Sequence, residues 1–295
     1  MLKGIIPVTV VPMTAKSEPD VDGIHNLSDF LIDRGVGGFW SLGSASEDIN
    51  MSFRQKVEVA REIDRSVNGR VPVIMGTGLT SIPDILEYAS QLDGCNFHGL
   101  HVLPYDVKMG DSRLINLIET LADELPWPVW LYHNPKRGKP FSDNVISVVK
   151  EHSNVGGMKI GGYNLSELTG ALLHKSESFD VIGAGGGQLF QMLSMGAEAH
   201  TTSEASVFPE PFIELYRLFK EGSSDAALTL QHRLIELSRS MPRTDNGEHS
   251  AEEKYMLMLR GVCDEYVNSL YRTLSDSEKY KLKRSLISFG FEWAE

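Results

Sequence analysis

Residues 129–162 read VWLYHNPKRGKPFSDNVISVVKEHSNVGGMKIGG, which is a strand pattern, a helix pattern and a second strand pattern in succession. The apolar runs at 129–132 and 155–159 are typical of buried strands, whereas 142–150 has the spacing of an amphipathic helix. Ser142 stands where a helix N-cap is expected. A helix between two buried strands indicates a parallel pair joined by a helical crossover.

The same unit repeats in both directions from this stretch. Strands are predicted at 5–11, 38–42, 71–75, 99–103, 129–132, 155–159, 181–183 and 199–202, and helices at 22–34, 52–66, 81–92, 111–124, 142–150, 164–174, 187–195 and 209–220. Eight strand–helix units predict an α/β protein with a closed (β/α)₈ barrel, the TIM barrel, in preference to an open sheet.

The alternation ends at residue 222. Only helix patterns follow, near 223–240, 250–263 and 276–288, with a polar loop at 241–250. Because these helices have no strands of their own, we predict a barrel over 1–222 and a C-terminal helical extension over 223–295 that packs on it within the same domain.

Composition narrows the class of protein. The chain has 295 residues, 41% of them hydrophobic, and a formal net charge of −12 with no concentrated basic patch, so a nucleic-acid partner is not expected. The apolar run at 1–13 is too short to span a membrane. Cys95 and Cys263 form no metal-binding or disulfide pattern. We therefore expect a cytoplasmic protein without a membrane segment or a metal site.

Active sites of (β/α)₈ barrels lie at the carboxyl ends of the strands, which directs attention to Lys159. It ends an apolar, glycine-rich strand pattern with no adjacent acid. Desolvation there would lower the pKa of the amine and favour its neutral form, which is a nucleophile toward carbonyl groups. The alternative is a strand-end lysine whose head reaches solvent.

Tyr132 ends the preceding strand pattern. Strand alternation places Trp130 and Tyr132 on one face, and an inward Tyr132 would reach the neighbouring strand end that carries Lys159. A phenol beside an amine can transfer the protons needed to form and dehydrate a carbinolamine. An ordinary core tyrosine is the alternative.

Further candidates lie in loops after the strands. Ser44, with the backbone N–H groups around Ala45, could bind a carboxylate, and so could the guanidinium of Arg137. Thr201 ends the last strand pattern and is a candidate for substrate contact. The glycine run at 185–187 could cradle a phosphate but lacks the lysine and hydroxyl of a P-loop. The alternative for Ser44 and Ala45 is a plain strand-to-helix loop, and the alternative for Arg137 is an exposed loop arginine without a partner.

The chain resembles the dihydrodipicolinate synthase / N-acetylneuraminate lyase superfamily over nearly its whole length. Five motifs carry the resemblance in the expected order: Gly4-Ile-Ile-Pro-Val-Thr, Gly43-Ser-Ala-Ser-Glu, Arg70-Val-Pro-Val-Ile-Met-Gly-Thr-Gly, Leu131-Tyr-His-Asn-Pro-Lys-Arg and Val155-Gly-Gly-Met-Lys. The last resembles the strand of the family that carries its Schiff-base lysine.

The resemblance implies a role for each candidate. Lys159 would form an imine with pyruvate or a longer 2-oxo acid, Tyr132 would be the acid and base, and Ser44 with the N–H groups at Ala45 would hold the substrate carboxylate. It also implies a homotetramer or homodimer that needs neither a metal nor an organic cofactor.

Three positions depart from the family pattern. The second hydroxyl residue of its Gly-[ST]-Thr-Gly-Glu motif is Ala45 and the glycine is Ser46, so one carboxylate ligand is missing or Ser46 replaces it. Asp106 stands where the lysine-pathway synthases have a second tyrosine of a proton relay. Arg137, by contrast, matches the arginine those synthases use for the aldehyde substrate's carboxylate.

Three hypotheses for function follow. The first is a Schiff-base lyase that cleaves, condenses or dehydrates pyruvate or a sugar-derived 2-oxo acid. The second is 4-hydroxy-tetrahydrodipicolinate synthase of lysine biosynthesis, which Asp106 and Ala45 disfavour. The third is a barrel that binds a 2-oxo acid without catalysis.

Overall fold

The computed structural model describes residues 1–162, 164–242, 244 and 250–295, without the side chain of Leu165. Its strands are β1 Gly4–Pro7, β2 Phe39–Ser41, β3 Val73–Gly76, β4 Gly99–Val102, β5 Val129–His133, β6 Val155–Ile160, β7 Asp180–Ala184 and β8 Ala199–Thr202. Its helices are α1 Val21–Ile32, α2 Phe53–Val67, α3 Ile82–Gln91, α4 Asp111–Glu124, α5 Asp143–Val149, α6 Leu165–Leu172, α7 Leu189–Ser194, α8 Pro209–Lys220, α9 Ser224–Ser240, α10 Ser250–Leu259 and α11 Asp276–Phe289.

The eight strands are parallel and follow the order β1-β8-β7-β6-β5-β4-β3-β2. Residues just after β1 close the ring: Val8 N donates to Thr202 O on one side, and Thr9 N donates to Trp40 O on the other. The predicted (β/α)₈ barrel with C-terminal helices is confirmed.

The first strand is shorter than predicted. The sequence predicts a strand over 5–11, but regular pairing with β8 ends at Pro7. Beyond Pro7 the chain crosses from β8 to β2, where Val8 makes a single bridge to Trp40. The apolar residues Val10 and Val11 are buried in the core but lie outside the paired part of the strand. An apolar run alone therefore predicts a strand that is too long.

Strand alternation sorts the apolar side chains into two layers. On β5, Val129 and Leu131 face the helices, whereas Trp130 and Tyr132 face the inside of the barrel. Trp130 fills the interior because glycines surround its indole; a Cβ at Gly99 or Gly156 would lie 2.4 or 2.8 Å from it. Side chains therefore fill the interior of the barrel except near the carboxyl ends of the strands, where it is open.

The C-terminal helices contact the barrel through polar as well as apolar groups. Buried Gln231 of α9 accepts from Phe190 N and donates to Gly186 O, both at 2.9 Å. Leu282 and Leu286 of α11 are buried in the same core as the barrel helices. The predicted loop at 241–250 lies mostly outside the described residues. Among the helices that are described, none is long and apolar enough to cross a membrane.

Candidate active site

A cavity of about 320 Å³ opens at the carboxyl ends of the strands. The described residues that line it are Val8, Ser44, Ala45, Tyr132, Asn134, Lys136, Lys159, Gly161, Gly162, Ala184, Gly185, Gly186, Gly187, Thr201, Thr202, Ser203, Glu204 and Ser238. Five of the six predicted site residues, namely Ser44, Ala45, Tyr132, Lys159 and Thr201, thus meet in one place, in a volume typical of small-molecule sites.

Lys159 lies on β6 with its side chain inside the barrel, and only 2% of the residue is exposed. Its neighbours Met158 and Ile160 face the helices instead, as alternation requires. The Nζ atom of Lys159 lies 4.8 Å from the centre of the Trp40 ring and 4.7 Å from that of Tyr132. The structure therefore contradicts the alternative in which Lys159 is a strand-end lysine whose head reaches bulk water.

Tyr132 is the Cα register partner of Lys159 across the β5–β6 pair. Its hydroxyl lies 3.0 Å from Ser44 Oγ and accepts a hydrogen bond from Asn134 Nδ2 at 3.2 Å. Burial raises the pKa of the Tyr132 phenol, opposed by the bonds to Ser44 and Asn134, so the phenol is protonated at neutral pH. Tyr132 is therefore a proton donor beside the amine, connected to Ser44 by a hydrogen bond.

An aromatic layer lies beneath the amine. The Trp40 ring stacks on His101 with centroids 4.4 Å apart and an 11° angle, and meets Tyr132 edge-on at 5.6 Å. Gly76 makes room for this stack, because a Cβ there would lie 2.6 Å from the His101 ring and 2.1 Å from Leu42 O. The Trp40 and Tyr132 rings of this layer lie next to the Lys159 side chain.

The loop after β2 forms one wall. Residues Ser44–Ser46 make a single 3₁₀ turn, so the N–H groups of Ser44 and Ala45 have no acceptor within that turn. Ser46 does not line the cavity: it is fully buried and its hydroxyl donates to Thr9 O at 2.6 Å. The sequence allowed two alternatives: one carboxylate ligand is missing, or Ser46 replaces it. The geometry therefore favours the missing ligand.

Glu47 fixes this loop to the C-terminal helices. It adopts a left-handed backbone conformation with φ 58°, and its carboxylate lies 2.7 Å from Lys254 Nζ of α10. The same carboxylate accepts from Asn268 N at 2.6 Å. Both side chains of the ion pair are at most 1% exposed. The position of Ser44 thus depends on contacts made far along the chain.

Arg137 is the site candidate that the structure does not bring to the cavity wall. Its guanidinium donates to the buried carboxylate of Asp48 at 3.0 Å, and Tyr105 donates to the other oxygen at 3.0 Å. Burial raises the pKa of the Asp48 carboxyl, and Arg137 opposes that shift. Because Asp48 already satisfies one edge of Arg137, binding of a substrate carboxylate by this residue stays a prediction.

Thr201 and Asp106 have different surroundings. Thr201 lines the cavity, is fully buried, and donates from its hydroxyl to Gly183 O at 3.0 Å. Asp106 is exposed, accepts from Lys108 N and lies 3.8 Å from Arg113. Asp106 is absent from the wall of the Lys159 cavity.

Several site residues were missed by the sequence analysis. Trp40, Asn134, Glu204 and Ser238 come from four different segments, and Asp48 accepts a hydrogen bond from Arg137. Trp40 and Asn134 could have been found from alternation and from proximity to Tyr132. Ser238 could not, because nothing in the local pattern of α9 indicates that it reaches the barrel mouth. Among the described residues no cluster of three metal-ligating side chains occurs.

Comparison with known proteins finds a family and relatives that match most of the chain. The model of the "Dihydrodipicolinate synthetase family" matches residues 1–288. A 4-hydroxy-tetrahydrodipicolinate synthase of Methanosphaerula palustris is 28% identical over 82% of this chain and 84% of its own length.

Solved structures of similar proteins cover almost the whole chain. A dihydrodipicolinate synthase from Bacteroides thetaiotaomicron superposes with a TM-score of 0.91 at 25% identity, over 97% of this chain and 98% of the other. A catalytic lysine mutant of Ruminococcus gnavus sialic acid aldolase has the same fold, with a TM-score of 0.91 at 17% identity over 98% and 95% of the chains. The chain belongs to the dihydrodipicolinate synthetase family.

Proposed function

We propose that this protein is a lyase that forms a Schiff base between Lys159 and pyruvate or a sugar-derived 2-oxo acid. The observation that carries the proposal is a buried amine that shares a cavity with a protonated phenol, with Tyr132 as the strand partner of Lys159. Removal of an amine from water favours its neutral, nucleophilic form.

The residues fit each step of imine formation. The neutral amine of Lys159 attacks the C2 carbonyl, and Tyr132 supplies a proton to the oxygen as the carbinolamine forms. Loss of that oxygen as water gives the imine, and Ser44 passes protons to and from Tyr132 across their 3.0 Å contact. The N–H groups of Ser44 and Ala45 are placed to hold the C1 carboxylate.

The imine then accepts the electron pair of a breaking bond. Removal of the C4 hydroxyl proton with cleavage of the C3–C4 bond releases an aldehyde and leaves an enamine. In dehydration, removal of a C3 proton leaves an enamine, which then expels the C4 hydroxyl; this takes up a proton and leaves as water. Both reactions use the same imine, so the Lys159–Tyr132 arrangement supports either one.

Borohydride reduction tests the imine directly. The parent protein mixed with pyruvate and sodium borohydride should gain one reduced adduct on Lys159, identified by peptide mass spectrometry. Lys159→Ala should remain folded, form no adduct and lose turnover. Lys108→Ala is the matched control, since Lys108 is exposed and outside the cavity. An unmodified Lys159 in the parent protein would reject the proposal.

The lysine-pathway synthase remains the second candidate. The names of the curated relatives favour it, and Arg137 matches the arginine expected for the aldehyde's carboxylate. The Asp48–Arg137 pair and the exposed Asp106 disfavour it. Turnover of pyruvate with aspartate semialdehyde, at a rate above that with sugar-derived 2-oxo acids, would establish this reading in place of the first.

A non-catalytic barrel is the remaining alternative. Tight binding of a 2-oxo acid without turnover across a broad panel would favour it.

The cytoplasmic location and the homotetramer or homodimer stay predictions, which fractionation and light scattering would test.

A further inference from the structure

Trp40 is a large aromatic side chain that lies beside the reactive amine. It belongs to β2, faces the inside of the barrel and is fully buried. The Nζ atom of Lys159 lies 4.8 Å from the centre of the Trp40 ring and 4.7 Å from the centre of the Tyr132 ring. Both distances are within the roughly 6 Å at which the face of an aromatic ring attracts a cation.

Neighbouring rings hold the plane of the Trp40 indole. His101 stacks on it with centroids 4.4 Å apart and an 11° angle between the planes. Trp130 and Tyr132 meet it edge-on, with centroids 6.2 and 5.6 Å away. Stacked and edge-on contacts are the arrangements that aromatic pairs prefer. The indole is therefore fixed in place before any charge develops at Nζ, which is the condition for electrostatic preorganisation.

The polar edge of this indole does not explain its position. The N–H of Trp40 is buried and has no hydrogen-bond acceptor among the described residues. A buried donor without an acceptor destabilises the fold, and a purely apolar side chain would fill the same interior without that cost. Tryptophan has, however, the aromatic face that attracts cations most strongly. The contact between that face and Nζ is what a smaller apolar side chain would lose.

The charge on Nζ changes during the proposed reaction. The hydroxyl of the carbinolamine takes up a proton through Tyr132 and leaves as water, so the C2=Nζ bond forms with a positive charge on the nitrogen. This protonated imine, the iminium, draws in the electron pair of the bond that breaks. An imine nitrogen is less basic than an amine nitrogen, and burial disfavours its charged form further. Any group that favours the protonated imine therefore speeds the bond cleavage.

We propose that the face of Trp40, together with the Tyr132 ring, stabilises the iminium on Lys159 by a cation–π interaction and so keeps the imine protonated and reactive. A cation–π contact is stronger where water is excluded, and Lys159 and both rings are buried. The same contact favours the ammonium form of the free lysine, which burial opposes. This inference rests on the proposed function.

Other titratable groups surround the reactive amine. Burial lowers the pKa of His101 to about 3 and that of His200 to about 4, so both rings are neutral above pH 6. Burial raises the pKa of the Tyr132 phenol, which therefore stays protonated at neutral pH. Glu204 and Lys136 also line the cavity, and they are the same in all the proteins compared below. A difference between those proteins thus reports on position 40.

The test measures how fast sodium cyanoborohydride reduces the adduct between Lys159 and saturating pyruvate from pH 6 to pH 10. This reagent reduces iminium ions much faster than neutral imines, so the rate falls at the pH where the imine loses its proton. Tryptophan carrying one, two or four fluorine atoms, incorporated only at position 40, nearly keeps the shape of the ring and withdraws electrons from its face stepwise. The midpoint of the fall should move to lower pH in that order, by about 0.4–1.5 pH units in total.

Two ordinary variants and a matched control accompany the fluorine series. Trp40→Phe keeps a weaker face and Trp40→Leu removes it, so the midpoint should be lower in Trp40→Phe than in the parent and lowest in Trp40→Leu. Fluorinated tryptophan at position 127 is the control, since Trp127 is also buried but lies outside the cavity, and it should leave the midpoint unchanged. A merely structural role of Trp40 would lower the rate at every pH without moving the midpoint.

The outcomes separate the two proposals. Labelling of Lys159 by pyruvate, with a midpoint that the fluorine series leaves in place or moves to higher pH, would overturn the role of Trp40 alone. Failure of pyruvate to label Lys159 in the parent would overturn the proposed function, and the role of Trp40 with it. The fluorine series decides the question even if Trp40→Phe and Trp40→Leu fail to fold.

Discussion

The hydroxyl of Tyr132 has contacts with two side chains, Ser44 and Asn134, and lies on the strand next to Lys159. It is the group in this cavity best placed to move a proton during imine formation. Its raised pKa keeps the proton on the phenol until a developing alkoxide needs it.

Replacement of Tyr132 by phenylalanine should slow imine formation by roughly 10²–10⁴-fold, as expected for loss of an acid–base group. Ser44→Ala keeps the phenol and removes one hydrogen bond, so it should cost only about three- to tenfold. The rate of borohydride-trapped adduct with pyruvate measures both. If Tyr132→Phe reacts as fast as Ser44→Ala, another group transfers the proton.

Two buried histidines should make stability depend on pH. His101 Nε2 lies 3.0 Å from Ser41 O and His200 Nε2 lies 2.7 Å from Gly185 O, so each ring donates through Nε2. Each Nδ1 is buried and has no hydrogen-bond partner among the described residues. Burial, opposed by the bond to Ser41 O, lowers the pKa of His101 to about 3; burial, opposed by the bond to Gly185 O, lowers that of His200 to about 4.

The sign of the dependence follows from these lowered values. Below about pH 6.5 the unfolded chain takes up protons on both rings, while the folded protein keeps them neutral down to about pH 3–4. Their contribution to stability is therefore complete above pH 6.5 and is lost as the pH falls, by up to about 1.4 kcal/mol per pH unit for each ring.

The measurement is the urea midpoint between pH 7.5 and 5. His101→Gln should flatten the fall in midpoint relative to the parent, because one such ring is gone. His232→Gln changes an exposed histidine and should leave the slope as it is. Equal slopes for His101→Gln and the parent would show that His101 takes up its proton in the folded state.

Strand alternation determines which way a side chain points. The sequence predicts the site residues to which this rule applies. Lys159 and Tyr132 follow from strand period and from the position of site residues in barrels. Arg137 does not, because its environment depends on Asp48, which lies 89 positions earlier and is buried beside it only in the fold. Local patterns carry no information about such pairs.

The predicted bounds of the helices agree closely with the structure, whereas the predicted ends of the strands agree less well. Helix α2 starts after Ser52, and Ser52 and Gln55 form a capping box that fixes its first turn. The first strand has no such signal at its end, so its pairing partners decide where it stops. Helix α4 begins at Asp111, and Gly110 occupies its N-cap without a side chain that could bond to the first turn.

The ion pair between Glu47 and Lys254 joins two elements and should be sensitive to removal of one partner. Lys254→Met leaves a buried carboxylate without its cation and should lower the free energy of unfolding by about 3–5 kcal/mol. Burial lowers the pKa of Lys254 even though Glu47 opposes the shift, which reflects the cost of desolvating the pair.

Chemical denaturation checks this prediction, and the half-saturating pyruvate concentration for labelling gives a second readout. That concentration should rise in Lys254→Met, because the loop that carries Ser44 loses its anchor. The double variant Glu47→Gln/Lys254→Met should recover much of the stability. Arg217→Ala, which breaks exposed pairs on α8, should change the denaturation midpoint little. A loss in Lys254→Met no larger than in Arg217→Ala would contradict the assigned role.

For the whole molecule, the sequence predicts the barrel because eight repeats of one unit are visible along the chain. How the last 73 residues pack is not visible, since amphipathic helices can bury their apolar faces against many surfaces. The structure places Gln231 and Lys254 against the loops that line the cavity. The C-terminal helices are therefore part of the wall around the site as well as part of the core.

This packing predicts that barrel and C-terminal helices unfold together, as the single domain inferred from the sequence would. Calorimetry should give one transition whose calorimetric and van't Hoff enthalpies agree. Fluorescence of Trp40, Trp127 and Trp130, the three tryptophans that remain in a Trp293→Phe variant, should report the same midpoint as circular dichroism at 222 nm, which detects all the helices. A chain shortened to residues 1–222 should lack the cooperative transition, because removal of α9–α11 exposes apolar surface and leaves Glu47 buried without a cation. Two separated transitions in the full chain, or a cooperatively folded 1–222 fragment that still binds pyruvate, would show that the barrel is an independent unit.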